Sequence, residues 1–242
     1  MSKRTVLYTD PFWARTPEGR VDGARATLER EVFGDNYDLR FASCINGRYI
    51  HDDRDFERDL AEADALVICR YRITSTVVEA ASRLRIVARQ GVGYDNLNEE
   101  LLRSAGIVGF NIPDYCTDEV AAHTAALLLA LERNIVQQHN WLAVGRFDVY
   151  AGGTPRRLQR LTVGIVGFGR IGRAVAARLR PFYKQIVAYD PYVSEDLIEA
   201  HGAAKVGLEE LCSRSDAISL HPLLNRETTG LVDARFLAGM KP

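Results

Sequence analysis

A glycine-rich turn around residue 167 constrains this chain more than any other feature. Residues 163–166 form a short apolar run, which is typical of a strand buried on both faces of a parallel sheet. Apolar residues then recur at helical spacing over residues 171–179. Gly167, Gly169 and Gly172 lie between the two segments in the spacing G-x-G-x-x-G. The stretch therefore predicts a strand, a tight turn and a helix in close succession.

Each glycine of such a turn has a physical role. The first allows the tight turn, the second lets the backbone approach a pyrophosphate, and the third lets the helix pack close to the strand. Free amides at the start of the helix then hold the phosphates. The predicted dinucleotide-binding residues are Gly167, Phe168, Gly169, Arg170, Ile171 and Gly172. A lone turn of this kind also occurs in ordinary strand–turn–helix units, so its context decides.

The context is a carboxylate at the end of the next predicted strand. Residues 186–189 are apolar and end in Asp190, eighteen residues after Gly172. The dinucleotide fingerprint has an acid near that distance, which bonds the ribose hydroxyls. Asp190 could instead be an ordinary strand-end acid before Pro191, but the paired signals favour the ribose role. Since an acid repels a 2′-phosphate, and Pro191 and Tyr192 offer no arginine to receive one, NAD is favoured over NADP.

Composition excludes several other classes of protein. The chain has 242 residues, 47% of them hydrophobic, and a formal charge of −1, which gives no electrostatic reason to expect nucleic acid or an anionic membrane as a partner. No apolar run reaches membrane-spanning length, and the start lacks a secretory apolar region. The scattered cysteines predict neither a metal site nor a disulfide framework; they are Cys44, Cys69, Cys116 and Cys212. We expect a cytoplasmic protein.

Predicted strands and helices alternate along the whole chain, which indicates an α/β fold with parallel, helix-covered sheets. The predicted strands are 5–9, 37–41, 65–69, 86–88, 108–112, 163–166, 186–189 and 217–220. The predicted helices are 24–33, 56–63, 77–84, 99–105, 118–136, 171–179, 194–201, 208–214 and 233–240. Two α/β units follow, residues 1–110 and 111–242. The helix at 118–136 is apolar nearly all round and is predicted to be buried.

Further motifs occur in a fixed order along the chain. They are GVGYDN at 91–96, NIP at 111–113, EVAAHTA at 119–125, the glycine turn, DPY at 190–192, HPL at 221–223, ETTGL at 227–231 and MKP at 240–242. In this order they resemble the D-isomer-specific 2-hydroxyacid dehydrogenases, the family of phosphoglycerate dehydrogenase and formate dehydrogenase. The run PDYCTDEV at 113–120 is most similar to the branch related to the C-terminal-binding-protein co-repressors.

The resemblance implies an oxidoreductase that moves hydride between nicotinamide and a small 2-hydroxy or 2-oxo acid. It implies a flavodoxin-like substrate domain at residues 1–110 and a Rossmann NAD-binding domain at 111–242. Backbone amides of Gly91, Val92 and Gly93 would meet the substrate carboxylate, and Arg70 would be a cation on the substrate side.

The resemblance also extends the expected cofactor site. His221 and Pro222 would lie along the cofactor at the next strand end, with Thr228 near them. Members of the family usually dimerise through the nucleotide domain, so a homodimer is expected. The apolar helix at 118–136 and the arm at 145–153 would form the contact.

The family's catalytic arginine, glutamate and histidine follow the Met-Lys-Pro element, and this sequence ends there. We therefore expect a chain that is truncated in both domains and inactive by itself, and we assign no catalytic residue. An NAD(H)-binding regulatory module without turnover is the alternative; a Rossmann protein of other chemistry, such as a sugar epimerase, is disfavoured by the residue 91–96 loop.

The chain's own histidines are weak substitutes for the family's acid–base group. His123, on the apolar helix, is expected to be a packing residue without a carboxylate partner. A cofactor contact is expected of His221 rather than acid–base work. His51, His139 and His201 lie in polar sequence and are interpreted as surface residues.

Overall fold

In the computed structural model, which describes residues 3–242, parallel strands alternate with helices along the chain. The predicted α/β fold class is confirmed. The chain divides into two compact units, Met1–Tyr115 and Cys116–Pro242. The assignment of residues 1–110 to substrate and 111–242 to the nucleotide stays a prediction.

The first unit is built on a five-stranded parallel sheet. Its strands are β1 Arg4–Tyr8, β2 Tyr37–Phe41, β5 Ala65–Ile68, β6 Ile86–Arg89 and β7 Val108–Asn111, with a hairpin of β3 Cys44–Ile45 and β4 Arg48–Tyr49. Its helices are α1 Thr27–Phe33, α2 Arg54–Ala61, α3 Ser75–Ala80 and α4 Glu99–Ser104. In the sheet order β2-β1-β5-β6-β7, β2 is added on one side of β1 and the later strands on the other side. The winding direction therefore reverses once, as in flavodoxin-like sheets.

Alternation along the strands of this sheet places its core. Leu66, Ile68 and Val87 point to one face, where they are fully buried under the helices. On β7, the side chain of Val108 is 61% exposed and that of Phe110 is 50% exposed. The hairpin of β3 and β4 was not among the predicted strands, because two-residue strands carry too little periodicity to be recognised.

The second unit has a four-stranded parallel sheet. Its strands are β8 Thr162–Val166, β9 Gln185–Tyr189, β10 Ala204–Lys205 and β11 Ala217–Leu220. Its helices are α5 Thr117–Glu132, α6 Ile135–Ala143, α7 Arg170–Leu179, α8 Glu195–Ala200, α9 Leu208–Arg214 and α10 Ala234–Ala238. The order β10-β9-β8-β11 makes β8 the first strand of the fold and puts the change of winding direction between β8 and β11.

The register of this sheet determines where its ligand edge lies. Val166 at the end of β8 pairs with Tyr189 on one side and with Leu220 on the other. The three carboxyl ends therefore meet at one edge. Open α/β sheets bind their ligands at such an edge, beside the strands where the winding reverses.

The apolar helix predicted at 118–136 differs from the structure in two ways. It ends at Glu132, because Asn134 takes a left-handed conformation (φ 55°) and α6 begins after it. The prediction that it is buried is wrong for one side, since Leu127 and Leu131 are 59% and 65% exposed. An apolar helix indicates that its sides are suited to packing against other residues. It does not indicate whether those residues belong to the same chain.

Candidate functional site

The turn between β8 and α7 has the shape that its glycines allow. Gly167 has a φ of +85°, and a Cβ there would lie 2.6 Å from the backbone nitrogen of Pro222. At Gly172 a Cβ would collide with the carbonyl oxygen of Gly167, so only glycine lets α7 pack this close to β8. Both positions are closed to a side chain for steric reasons.

Gly169 lies on the open side of the same turn. A Cβ built there meets no atom within 4 Å, and Gly169 is the residue that precedes the first turn of α7. No side chain within residues 3–242 caps this helix. The first backbone N–H groups of a helix have no partner within the helix and carry the positive end of its dipole. The turn is therefore an open cradle for an anion such as a diphosphate.

Phe168 contributes its backbone to this turn and its side chain to the core. The ring is fully buried and contacts His201 edge-on, with 6.2 Å between ring centroids. Its N–H donates to Asp190 Oδ2 at 2.8 Å. The buried ring anchors the turn from below, which leaves only the backbone available to a ligand.

Asp190 ties the end of β9 to the glycine turn. Besides the bond from Phe168, its Oδ1 accepts the N–H of Tyr192 at 2.9 Å. A carboxylate oxygen has two lone pairs, so each oxygen can accept one further hydrogen bond. The carboxylate can thus hold the turn and still receive the hydroxyls of a ribose.

The third wall of the site is the segment that follows β11. The N–H of His221 donates to the carbonyl of Val166 at 2.7 Å, and its Nε2 lies 2.8 Å from Ser219 Oγ. Burial lowers the pKa of His221, so the ring is neutral near pH 7. Thr228 Oγ1 donates to the carbonyl of Leu223 at 2.5 Å and so holds the loop together.

These three walls enclose a cavity of about 300 Å³ within the second unit. Of the predicted cofactor-binding residues it is lined by Gly167, Gly169, Asp190, His221, Pro222 and Thr228. Phe168, Arg170, Ile171 and Gly172 lie beside the cavity in the turn and the first turn of α7. Tyr192, Asn225 and Glu227 also line it. Tyr192 and Glu227 belong to the DPY and ETTGL motifs, but no cofactor contact was predicted for any of the three, because their side-chain positions depend on the fold of two loops.

In the first unit the predicted substrate-side residues lie at neighbouring strand ends. Arg70 follows β5 and is exposed, and residues 91–93 follow β6. The two strands pair with Ile68 opposite Arg89, which brings the two segments to the same edge of the sheet.

Two buried polar residues that the sequence analysis missed hold the segment around Arg70. Asp10 Oδ2 accepts the N–H groups of Cys69, Arg70 and Tyr71 at 3.0–3.1 Å. Asn96 Nδ2 donates to the carbonyls of Cys69 and Tyr71 at 3.2 and 2.7 Å. Backbone N–H groups and backbone carbonyls around Arg70 are therefore both hydrogen-bonded to buried side chains.

The glycine loop of the first unit has a cation folded against it. Gly91 has a φ of +153°, and the guanidinium of Arg89 occupies the space that a Cβ would take. Arg89 Nη1 donates to the carbonyl of Gln90 at 3.2 Å. Its place directly before the loop was a signal that the sequence analysis did not use. Asn111 Nδ2 in turn binds the carbonyl of Val92 at 2.7 Å.

Two of the predicted histidine environments are wrong. His51 is partly buried rather than free on the surface, because its Nε2 lies 2.9 Å from the carbonyl of Thr9 and its ring contacts Phe56 and Tyr71. His123 is exposed on the uncovered side of α5 rather than packed.

Residues 3–242 contain neither a candidate metal site nor a helix that could span a membrane. Their His, Cys, Asp and Glu side chains form no group that could hold a metal ion. None of their helices is long and apolar enough to cross a membrane.

Comparison with known sequences gives a consistent result. The family described as "D-isomer specific 2-hydroxyacid dehydrogenase, NAD binding domain" matches residues 125–242. D-3-phosphoglycerate dehydrogenase of Mycobacterium tuberculosis is 38% identical over 188 residues, 75% of this chain and 34% of the relative. The enzyme of that name from Methanocaldococcus jannaschii is 36% identical over 186 residues, 75% of this chain and 35% of the relative. The chain thus spans about a third of the length of these relatives.

Solved structures with the same fold cover nearly the whole chain. D-lactate dehydrogenase from Aquifex aeolicus, complexed with NAD and lactic acid, has a TM-score of 0.82 and 25% identity over 98% of this chain and 66% of that one. NAD-dependent formate dehydrogenase from Staphylococcus aureus, in complex with NAD, has a TM-score of 0.81 and 27% identity over 98% and 70%. With its nucleotide cradle and this family match, the chain belongs to the D-isomer-specific 2-hydroxyacid dehydrogenase family, and residues 125–242 carry the family's NAD-binding domain.

Proposed function

We propose that the chain binds NAD(H) in the cavity of its second unit and serves hydride transfer between nicotinamide and a small 2-hydroxy or 2-oxo acid. The observation that carries the proposal is the open, uncapped start of α7 beside Gly169, with Asp190 on the neighbouring wall. Bound NAD supplies a nicotinamide ring that accepts or gives up hydride.

The chain's own residues divide the binding work. The backbone N–H groups of Arg170, Ile171 and Gly172 receive the diphosphate at the positive end of α7. Asp190 accepts the ribose hydroxyls while it holds the N–H of Phe168. The neutral ring of His221 and the adjoining Pro222 line the opposite wall.

On the substrate side, the proposal uses Arg70 and the backbone of residues 91–93 as the carboxylate receptor. The amides around Arg70 are held by Asp10, so the guanidinium projects from a fixed backbone. A planar guanidinium suits a carboxylate because it can donate two parallel hydrogen bonds. In this assignment residues 1–110 are the substrate domain and residues 111–242 the NAD-binding domain.

The proposal includes a cytoplasmic homodimer that contacts through the NAD-binding unit. The exposed apolar side of α5 and the exposed Phe147 beyond α6 support the dimer, because such a surface is typical of an interface. The four free cysteines support a reducing compartment.

An NAD(H)-binding regulatory module without turnover is the second candidate. The observations that favour it are the lowered pKa and the side-chain hydrogen bond of His221, the histidine that lines the nucleotide cavity. Its pKa is lowered by burial and its Nε2 is engaged with Ser219 Oγ, which suits a binding residue better than an acid–base group.

A calorimetric titration with NADH tests the binding step. We expect saturable binding to the wild-type chain and its loss in Gly169→Asp, which places a carboxylate in the cradle. Gly207→Asp is the matched control, because Gly207 also precedes a helix and also has no atom within 4 Å of a built Cβ. Both variants should keep the melting temperature, since aspartate is a good residue at this position. Binding that survives in Gly169→Asp would refute the cradle.

The oxidation of NADH by small 2-oxo acids, measured with the protein purified from its natural source, separates the two candidate functions. Turnover supports the dehydrogenase and refutes the pure binding module. NADH binding without turnover of glyoxylate, pyruvate or hydroxypyruvate favours the module.

A further inference from the structure

Tyr192 lies between two carboxylates at the nucleotide cavity. Its backbone N–H donates to Asp190 Oδ1 at 2.9 Å, and its phenolic hydroxyl donates to Glu227 Oε2. All three residues line the cavity, Asp190 and Tyr192 from the end of β9 and Glu227 from the loop after β11. The side chain of Tyr192 therefore joins two loops that belong to different strands.

This bridge does not result from packing. Tyr192 is 77% exposed, so little besides the hydrogen bond to Glu227 holds its side chain in place. That hydrogen bond also raises the pKa of Tyr192, so the hydroxyl remains a donor at neutral pH. The bridge is thus a polar contact in which Tyr192 is the donor and Glu227 the acceptor.

The loop that carries Glu227 is itself held in one conformation. Asn225 Oδ1 accepts the N–H of Glu227 at 2.9 Å and that of Thr228 at 3.0 Å. The N–H of Asn225 donates to Thr228 Oγ1 at 2.9 Å. The backbone of Glu227 is therefore defined before any ligand binds, and Tyr192 defines the position of its carboxylate.

We propose that Glu227 is a second determinant of cofactor choice, which acts with Asp190 to reject the 2′-phosphate of NADP. The proposal rests on the NAD(H) site proposed above and adds a residue to it. In that proposed site Asp190 would accept the ribose hydroxyls, and Glu227 is linked to Asp190 through the backbone N–H and the hydroxyl of Tyr192.

The physical reason is the charge at this end of the cavity. A phosphate monoester carries a charge of about −1.5 to −2 at neutral pH, and the screening length in physiological salt is about 8 Å. Among the described residues no lysine or arginine lines the cavity, and the ammonium of Lys205, which binds the carbonyl of the lining residue Val193 at 2.6 Å, is held by that backbone contact. Two carboxylates in the cavity lining repel a 2′-phosphate more strongly than one, whereas the neutral 2′-hydroxyl of NAD is unaffected.

Dissociation constants for NADH and NADPH, measured by fluorescence with the same chain, test the proposal. We expect the wild type to prefer NADH, and Glu227→Gln to tighten NADPH by about fivefold with little change for NADH, because it removes one negative charge from the cavity lining. Tyr192→Phe keeps both carboxylates but frees Glu227, so it should shift the preference in the same direction by a smaller factor. Glu199→Gln, an exposed acid on α8 outside the cavity, is the matched control.

The outcomes distinguish this proposal from the one that it rests on. If the wild type prefers NADH and Glu227→Gln leaves the ratio of the two constants where Glu199→Gln leaves it, Glu227 has no part in cofactor choice although the NAD site stands. If the wild type is saturated by neither nucleotide, the NAD site fails and the role of Glu227 fails with it.

Discussion

Gly167 and Gly169 lie two residues apart in the same turn and tolerate a side chain very differently. Gly167 needs a left-handed backbone and has the backbone of His221 and Pro222 against it, whereas Gly169 has an ordinary φ of −70° and open space. The first is required by the fold and the second by the ligand. A single pattern of glycines thus combines two different physical requirements.

We expect Gly167→Ala to lower the free energy of unfolding by about 3 kcal/mol, through left-handed strain and overlap with Pro222. Gly169→Ala should change it by less than about 0.5 kcal/mol, since no strain or overlap arises. Urea unfolding followed by circular dichroism measures both. Equal stability of the two variants would show that the turn is not sterically closed at Gly167.

The sequence predicted those individual residues whose role follows from a local sequence pattern. The glycines and Asp190 were found because their spacing along the chain reports their function. Asp10 and Asn96 were missed because their partners around Arg70 lie far away in sequence and are backbone groups, which carry no signature of their own. Glu227 was recognised only as part of the ETTGL motif, and its place at the cavity was not predicted because its partner is a single tyrosine hydroxyl on another loop.

The end of helix α5 carries a buried carboxylate, and an arginine in the segment before β8 neutralises it. Glu132 is only 5% exposed, and Arg156 binds both of its carboxylate oxygens, at 2.6 and 3.1 Å. The hydrogen bonds that Arg156 donates to Glu132 raise the pKa of Arg156. This ion pair attaches a long irregular segment to the helix.

Arg156→Ala should cost about 2 kcal/mol of unfolding free energy, because it leaves the carboxylate of Glu132 buried without its cation. The value is below that for a fully buried pair because the Arg156 side chain is 50% exposed. A Glu132→Leu/Arg156→Leu double variant should recover most of the loss, since it buries no charge. Arg157→Ala, an exposed neighbour, is the control in the same urea experiment. A single variant no less stable than this control would contradict the role of the pair.

The elements themselves were largely predictable because alternating buried strands and amphipathic helices have strong periods. One exception is associated with a contact to a residue that is distant in sequence. The helix predicted at 118–136 is interrupted where Asn134 turns left-handed and donates from Nδ2 to the carbonyl of Gly153 at 2.8 Å. A contact with a residue of the distant arm cannot be seen in the helical pattern.

For the whole molecule, the open question is what covers the apolar side of the second unit. Large apolar side chains there are far more exposed than in a typical core. They are Leu127 at 59%, Leu131 at 65%, Leu142 at 58%, Val144 at 70%, Phe147 at 82% and Tyr150 at 63%. The helix that supplies the first two is apolar on nearly every side, so its sequence suits an interface better than a solvent-exposed surface. A second copy of the chain is the proposed cover.

We expect sedimentation velocity to find a dimer at micromolar concentration, and Leu131→Asp or Phe147→Asp to weaken it by at least about thirtyfold, as for an interface hot spot. Each substitution enters a two-fold interface twice, so two charges lose their water at once. Val32→Asp makes the same change at a side chain that is 72% exposed on α1 of the first unit, and it should leave the dimer intact. A folded wild-type monomer at these concentrations would contradict the proposed dimer, and the apolar side of α5 would then need a different partner.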